Sequence, residues 1–317
     1  MVWILGSSFN ANSPVPLHSS GGLGLIEIAG VSILVALFIP TLLDGVERKI
    51  RARIHSRIGP PILQTWYDVL KLFGKDFFVP ANAVHTVMLL FMSLAIQILL
   101  IGYTCIAVVA PITPYDLVVI AVLAIISQAA FISIPLTIAN PFSIIGASRE
   151  IVLMLVNEGA FLALVGLYAY YTGITAFSSI GGASPTLYTL LTIFALYIFS
   201  YVASSRIPFD IAEAEPEIAS GLLIELSGPL LGVFLYTLHL KRFFFKLFAS
   251  LLLLALFIKT GALLLASSIV LTIVLWLVYA VIANILGRSR VDLASITLLK
   301  AYLVIIALSV LGYFLEV

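Results

Sequence analysis

The chain has 317 residues, 62% of them hydrophobic and 10% charged, with a mean hydropathy of +1.21. Soluble domains carry ~25% charged residues, so this composition excludes a soluble enzyme, a disordered chain and a nucleic-acid binder. The 16 basic and 15 acidic residues nearly cancel, and the single cysteine, Cys105, excludes a disulfide framework and an iron–sulfur or zinc cluster built by this chain alone. The first 22 residues are polar and carry no charged side chain; without a basic flank they do not read as a signal peptide and are expected to be retained.

A membrane helix needs ~20 apolar residues, because its backbone amides must be satisfied within the segment. Eight stretches qualify: about 23–43, 84–110, 115–139, 150–172, 186–206, 226–257, 262–286 and 297–316. The expected fold is therefore an all-α integral membrane protein of about eight spans, forming one polytopic domain over 1–317. The connection 44–80 carries Arg48, Lys49, Arg51, Arg53, Arg57, Lys71 and Lys75, and alternate connections after it carry Arg149, Arg206, Arg288 and Arg290. The opposite side has only Lys259 between spans. By the positive-inside rule the 44–80 connection is cytoplasmic and both termini are external.

Within that connection, Gln64–Phe77 reads as an amphipathic helix. Trp66, Val69, Leu70, Phe73 and Phe77 form one stripe, while Gln64, Asp68, Lys71 and Lys75 take the other face. Such a helix lies in the membrane interface or against another subunit. The preceding basic run is either an anchor on anionic headgroups, at ~1 kcal/mol per residue, or a docking surface for a soluble partner. The second notable connection, 207–225, is acidic: Asp210, Glu213, Glu215, Glu217 and Glu225. Crowded carboxylates repel one another, so this segment is either a solvated loop or a coupled cluster that exchanges protons when a partner changes state.

Ionisable residues inside a membrane are expensive and point to function. Glu158 lies ~12 Å deeper along its helix than Glu150, with Asn157 beside it. Glu150, next to Arg149 at the expected helix end, is equally readable as a surface pair. In the sixth span His239, Arg242 and Lys246 share a face from which Lys241 points away. Those cations are expected to meet other helices, water or carboxylates such as Glu158 or Glu225, unless the helix leaves the bilayer there. Glu27 and Asp116 are expected at the interface and Cys105 in the core.

Four motifs carry a resemblance: GVERKIRARIHSRIGPPILQTWYDVLKLFGKD at 45–76, SIIGASREIVLMLVNEGAF at 143–161, RIPFDIAEAEPEIASGLLIELSG at 206–228 and RSRVDL at 288–293. The chain resembles the H-type membrane subunit of respiratory complex I, which joins the two arms of that enzyme, and the counterparts in energy-converting membrane-bound hydrogenases, formate hydrogenlyase and the archaeal sulfane-sulfur reductase. It looks closer to the hydrogenase branch, because Glu225-Leu226-Ser227 stands where the quinone-linked branch typically has glutamate-tyrosine-serine. The resemblance implies a membrane-anchoring, coupling subunit in the plasma membrane that binds no cofactor itself. Iron–sulfur clusters, and a nickel–iron centre in the hydrogenase case, would sit in partner chains: large and small hydrogenase-like subunits and a ferredoxin-like iron–sulfur subunit. Antiporter-like membrane subunits would adjoin it and move H⁺ or Na⁺.

Carried over by residue, the family's acidic loop falls on Asp210, Glu213, Glu215, Glu217 and Glu225, and its intramembrane glutamate on Glu158. Its loop-anchoring arginines fall on Arg48, Arg53, Arg57 and Arg206, with Trp66, Asp68 and Lys71 as further docking contacts. Glu158 would relay a change of charge toward Arg242 and Lys246, with Glu150 and His239 as further ion-coupling candidates. The alternatives are a quinone-binding member of the complex I branch, a purely structural anchor, and a secondary transporter, against which the halves show no convincing repeat.

Overall fold

The computed structural model describes residues 22–77, 84–110, 112–138, 140–177, 185–210, 225–287 and 289–316. The described residues form nine α-helices and one 3₁₀ turn, with no strand: α1 (Gly22–Ile54), α2 (Gln64–Phe73), α3 (Val84–Val109), α4 (Asp116–Ser133), the turn Pro135–Thr137, α5 (Pro141–Thr172), α6 (Leu187–Val202), α7 (Gly228–Leu254), α8 (Gly261–Ile285) and α9 (Val291–Glu316).

Six stretches of these are long and apolar enough to cross a membrane: Glu27–Ile54, Val84–Val109, Asp116–Thr137, Pro141–Thr172, Gly261–Ile285 and Leu293–Glu316. The expected count of eight is not reached on that criterion, for two physical reasons. Helix α6 has 16 residues, ~24 Å of rise, which is short of a ~30 Å hydrocarbon core. Helix α7 has 27 residues but its sequence carries His239, Lys241, Arg242 and Lys246.

Two helices run further than the sequence suggests. The basic run does not leave α1; it continues that helix to Ile54, giving 33 residues and ~50 Å of length. One end of α1 must therefore project beyond the apolar layer. Helix α5 begins at Pro141 rather than near 150. Proline at the first helical position has a preset φ and lacks only an amide that would be orphaned anyway. Asn140 caps the start by accepting a hydrogen bond from the Phe142 amide at 2.9 Å. Arg149 and Glu150 consequently sit more than two turns inside the helix, so Glu150 is not the helix-end residue the hydropathy suggests. Conversely, α2 stops at Phe73, short of Phe77.

Helix α7 is the hub. It packs on α1, α2, α3, α6 and α8 and buries residues around its whole circumference, including His239, Lys241, Phe243, Phe244, Phe245 and Lys246. On its other flank α5 packs on α4, α6 and α9. Phe161 of α5 stacks on Phe199 of α6 at 4.4 Å, and Phe199 meets Phe245 of α7 edge-on at 5.1 Å. Lipid tails are as apolar as these rings, so burial alone does not drive the contact. Close packing and ring geometry, at ~0.5–1.5 kcal/mol per aromatic pair, do. The outward faces carry exposed Leu34, Leu99, Leu155 and Leu311, which in water would be an aggregation hazard and in lipid are the solvated surface. The molecule is a multi-pass membrane protein. At one end, Tyr170 and Tyr171 of α5, Tyr188 of α6 and Tyr313 of α9 cluster with ring centres 4.8–6.0 Å apart. Such amphipathic rings are enriched at the membrane–water boundary. The charged site lies at the opposite end.

Candidate functional site

Asp44, Glu47, Arg48 and Arg51 recur on α1 at i, i+3, i+4 and i+7 and so present one face. That face, α2, the segment after α6 and α7 enclose a cavity of about 400 Å³. The α2 side is fastened by polar contacts. Arg48 reaches Asp44 at 3.2 Å and Asp68 of α2 at 2.6 Å, Thr65 donates to Asp44 at 2.9 Å, and Gln64 donates to Asp68 at 2.8 Å. Trp66 stacks on Phe38 of α1 at 4.5 Å. Trp66 and Asp68 are thus engaged within the chain, whereas Arg53, Arg57 and Lys71 are exposed. The turn back to α2 is so tight that a Cβ on Gly45 would lie 1.8 Å from the Ile62 carbonyl oxygen, so only glycine fits.

Glu47 is a buried, multiply contacted carboxylate of the cavity wall, and its place in a basic run gives no hint of that. It is 3% exposed. It accepts hydrogen bonds from Arg206 and from Trp276 of α8, the latter at 2.9 Å, and Arg51 lies at 3.6 Å. Arg206 also donates to the Trp276 carbonyl at 3.3 Å and lies over the indole ring. It sits beyond the end of α6; burial pulls its pKa down to about 10 against the opposing pull of Glu47, leaving it a cation at neutral pH. One residue thus ties α1, α8 and the post-α6 segment together. An ion pair taken out of water needs this many hydrogen bonds to offset its desolvation.

The α7 cations meet neighbouring segments, at partners other than Glu158 and Glu225. His239 Nδ1 lies 3.8 Å from Asp44. Arg242 donates from Nε to the Ser204 carbonyl at 2.8 Å. Lys246 donates to the Ser204 hydroxyl at 2.7 Å and the Arg242 carbonyl at 2.8 Å, with its ammonium over the Trp276 ring at 4.5 Å. Their face of α7 turns toward α1 and α8, away from α5, so none of the three has a described contact with Glu158 or Glu225. Glu225 instead accepts from the Asn140 side chain. The α7 cation that faces α5 is Lys241: it is 4.0 Å from Glu150 and rests over the Phe131 ring at 4.8 Å.

Glu158 is 6% exposed and accepts from Gln128 of α4 at 3.3 Å through one oxygen. Its other oxygen has no hydrogen-bond partner, nor does the Gln128 carbonyl oxygen. Both border a space of about 20 Å³ also lined by Glu150, Asn157, Ser205 and Lys241. Asn157 accepts from Tyr302 of α9 at 2.7 Å. A third, mostly apolar space of about 50 Å³ is lined by Glu150, Ser205 and Asp210. Ser205 and Asp210 border the large cavity too, so three spaces succeed one another from the α1 face to Glu158, and Ser205 borders all of them. Ser205 has φ 45°, a left-handed conformation that a residue with a Cβ adopts at a cost, and its hydroxyl donates to Glu150 at 3.3 Å. Glu213, Glu215 and Glu217 lie outside the described residues. Among the described residues no group of three or more His, Cys, Asp or Glu could hold a metal ion.

Residues 26–314 match a family model described as NADH dehydrogenase. The chain is 31% identical over 279 residues to formate hydrogenlyase subunit 4 of Escherichia coli, covering 83% of this chain and 91% of that protein. It is 29% identical over 230 residues to NADH-ubiquinone oxidoreductase chain 1 of Trichophyton rubrum, covering 67% of this chain and 66% of that one. In three dimensions it superposes with a TM-score of 0.75 and 26% identity on a chain of the membrane-bound sulfane sulfur reductase, an archaeal respiratory membrane complex, covering 91% of this chain and 99% of that one. Matched along nearly its whole length in sequence, and likewise in fold, the chain belongs to the NADH dehydrogenase family.

Proposed function

We propose that this chain is the membrane-anchoring and coupling subunit of an ion-translocating oxidoreductase complex, of the hydrogenase or sulfane-reductase type. Its relatives are named as parts of formate hydrogenlyase, hydrogenase-4 and NADH-ubiquinone oxidoreductase, and its structural neighbour belongs to a respiratory membrane complex. The hydrogenase-type relative aligns with a larger share of this chain than the quinone-linked one, which supports the hydrogenase side. On this reading the α2 end faces the cytoplasm and both termini face outward across the plasma membrane. Exposed Arg53, Arg57 and Lys71, with the acidic 207–225 segment, meet the hydrogenase-like large and small subunits. Iron–sulfur clusters, a nickel–iron centre where hydrogen is the substrate, and the ferredoxin-linked electron supply belong to those chains. Antiporter-like subunits adjoin the membrane flank.

The observation that carries the coupling part is the succession of three spaces from the α1 face to Glu158, with an ionisable group in the wall of each. A carboxylate whose neighbour ~4–6 Å away gains or loses charge shifts its pKa by ~1–3 units. Each unit corresponds to ~1.4 kcal/mol. Asp210, bordering two of the spaces, is placed to receive such a change from a partner, and Glu150 and Glu158 to pass it inward.

The test is deletion of this chain from its native host. The redox subunits are expected to move from the membrane fraction to the soluble fraction. In sealed vesicles of the wild-type complex, electron transfer is expected to build an ion gradient and to accelerate when an ionophore collapses it. Redox subunits that stay membrane-bound without this chain would remove the anchoring role, and turnover indifferent to ionophore would remove the coupling role.

A further inference from the structure

Helix α9 is the least covered of the six spans. Only 17% of its apolar window is buried inside the chain, against 33–56% in the other five. Its inner face is held: Tyr302 donates to Asn157 of α5 at 2.7 Å, and the Ser309 hydroxyl meets that of Thr192 on α6 at 2.9 Å. Its outer face is a line of exposed residues, Thr297, Lys300, Val304, Ala307, Leu311 and Phe314. They recur in steps of three and four, the spacing of a helix-pairing seam. Lys300 is the anomaly in that line. Among the described residues of the six spans, it is the one charged side chain that is exposed, lies more than a turn from either end of its span and makes no ion pair or hydrogen bond. It stands ~20 Å along the axis from Tyr313 of the boundary cluster, inside an apolar layer ~30 Å thick. The acids of its own helix, Asp292 and Glu316, lie ~12 and ~24 Å away along the axis, out of reach.

We propose that the outer face of α9 seats a membrane-spanning helix of a second subunit, and that this helix carries an aspartate or glutamate opposite Lys300. The inference rests on the reading above of this chain as one membrane subunit among several. Charged residues inside a membrane turn to a bundle interior or to a partner charge, and hardly ever to lipid. No other helix of this chain covers Lys300, so the interior it belongs to is completed by a neighbouring chain. Its charge is positive, and the complement is therefore an acid. Thr297, one turn before Lys300, offers a hydroxyl for a hydrogen bond between helices. Ala307, two turns after it, lets a partner backbone come close, as small residues do at membrane helix interfaces. Val304, Leu311 and Phe314 supply apolar contact along the rest of the line. Tyr302 follows Lys300 by two residues and so lies on the far side of α9, at its contact with Asn157. The partner acid is thereby placed about one helix diameter, ~10–12 Å, from the contact beside Glu158.

The test uses the whole complex in its native membrane. A photo-reactive benzophenone side chain placed at Val304, next to Lys300 on the same face, is expected to cross-link to a second subunit on illumination. Mass spectrometry should map that cross-link to a spanning helix with an aspartate or glutamate within one turn of the linked residue. Lys300→Met is expected to lower retention of the subunit through a detergent wash by ~10-fold, the scale of one polar contact between membrane helices, and Lys300→Arg to keep it. Lys300→Glu should lose the subunit, and changing the mapped acid to lysine as well should restore it. Lys300 is exposed, so these changes leave the fold of this chain intact. Cross-links to lipid alone, in a complex that purifies with its partner chains, would show the lysine stretching to headgroup phosphates. That result would overturn the proposal and leave the assembly reading standing. A cross-linked helix without a nearby acid, or a Lys300→Met complex that holds the subunit as firmly as the native one, would overturn it as well. A chain that purifies with no partner would remove both.

Discussion

Glu158→Gln is expected to abolish ion translocation while electron transfer to a soluble acceptor in detergent continues. The substitution is nearly isosteric, and the glutamine carbonyl oxygen can still accept from Gln128, so the packing of α4 against α5 is preserved. What disappears is the ability to hold and release a proton in a position 6% exposed, where few other groups can take over. A positioned proton-transfer group accounts for ~10²–10⁴ in rate. An intramembrane charge kept without a function would cost ~2.5–3.5 kcal/mol on insertion scales. The measurement is ions moved per electron in sealed vesicles, and an unchanged ratio would show that Glu158 is not on the path.

Arg206→Ala is expected to be the most disruptive single change at the large cavity. It leaves Glu47 buried with one fewer partner and removes the link to the Trp276 carbonyl. Breaking a buried pair from one side costs ~3–5 kcal/mol, because the surviving charge stays desolvated. The α1–α8 junction should then open, lowering the yield of monodisperse complex and the temperature at which it dissociates in detergent. Arg206→Met combined with Glu47→Leu removes both charges and is expected to recover much of that loss. A single variant as stable as the native protein would show that water enters freely beside Glu47, contrary to its burial.

The all-helical membrane fold was legible in the sequence because long apolar runs leave the backbone no other way to satisfy its amides. The α2 stripe was legible too, and Trp66, Val69 and Leu70 lie on a helix as their spacing requires. Less was visible where tertiary contact decides. The residues 141–149 read as a loop because Gly146, Ser148 and Arg149 dilute their hydropathy, although Asn140-Pro141 is a helix-start signal in its own right. Glu47 looked like one acid in a basic run; its burial depends on Arg206 and Trp276, 159 and 229 residues away. The helical wheel correctly separated Lys241 from His239, Arg242 and Lys246. Which carboxylate each face meets, Asp44 of α1 for His239 and Glu150 of α5 for Lys241, depends on helix packing that no local pattern encodes. The cations of α7 are likewise tolerable only in the folded chain, where neighbours supply oxygens and ring faces.

The most direct measurement is purification of the native complex in mild detergent, followed by mass spectrometry of the co-purifying chains and analysis of its metals. Co-purification of hydrogenase-like large and small subunits with iron is the expected result. Nickel would assign the hydrogenase type, and iron without nickel the sulfane-reductase type or a quinone-linked enzyme. A chain that purifies alone, with no iron and no partner, would contradict its place as the membrane subunit of an oxidoreductase.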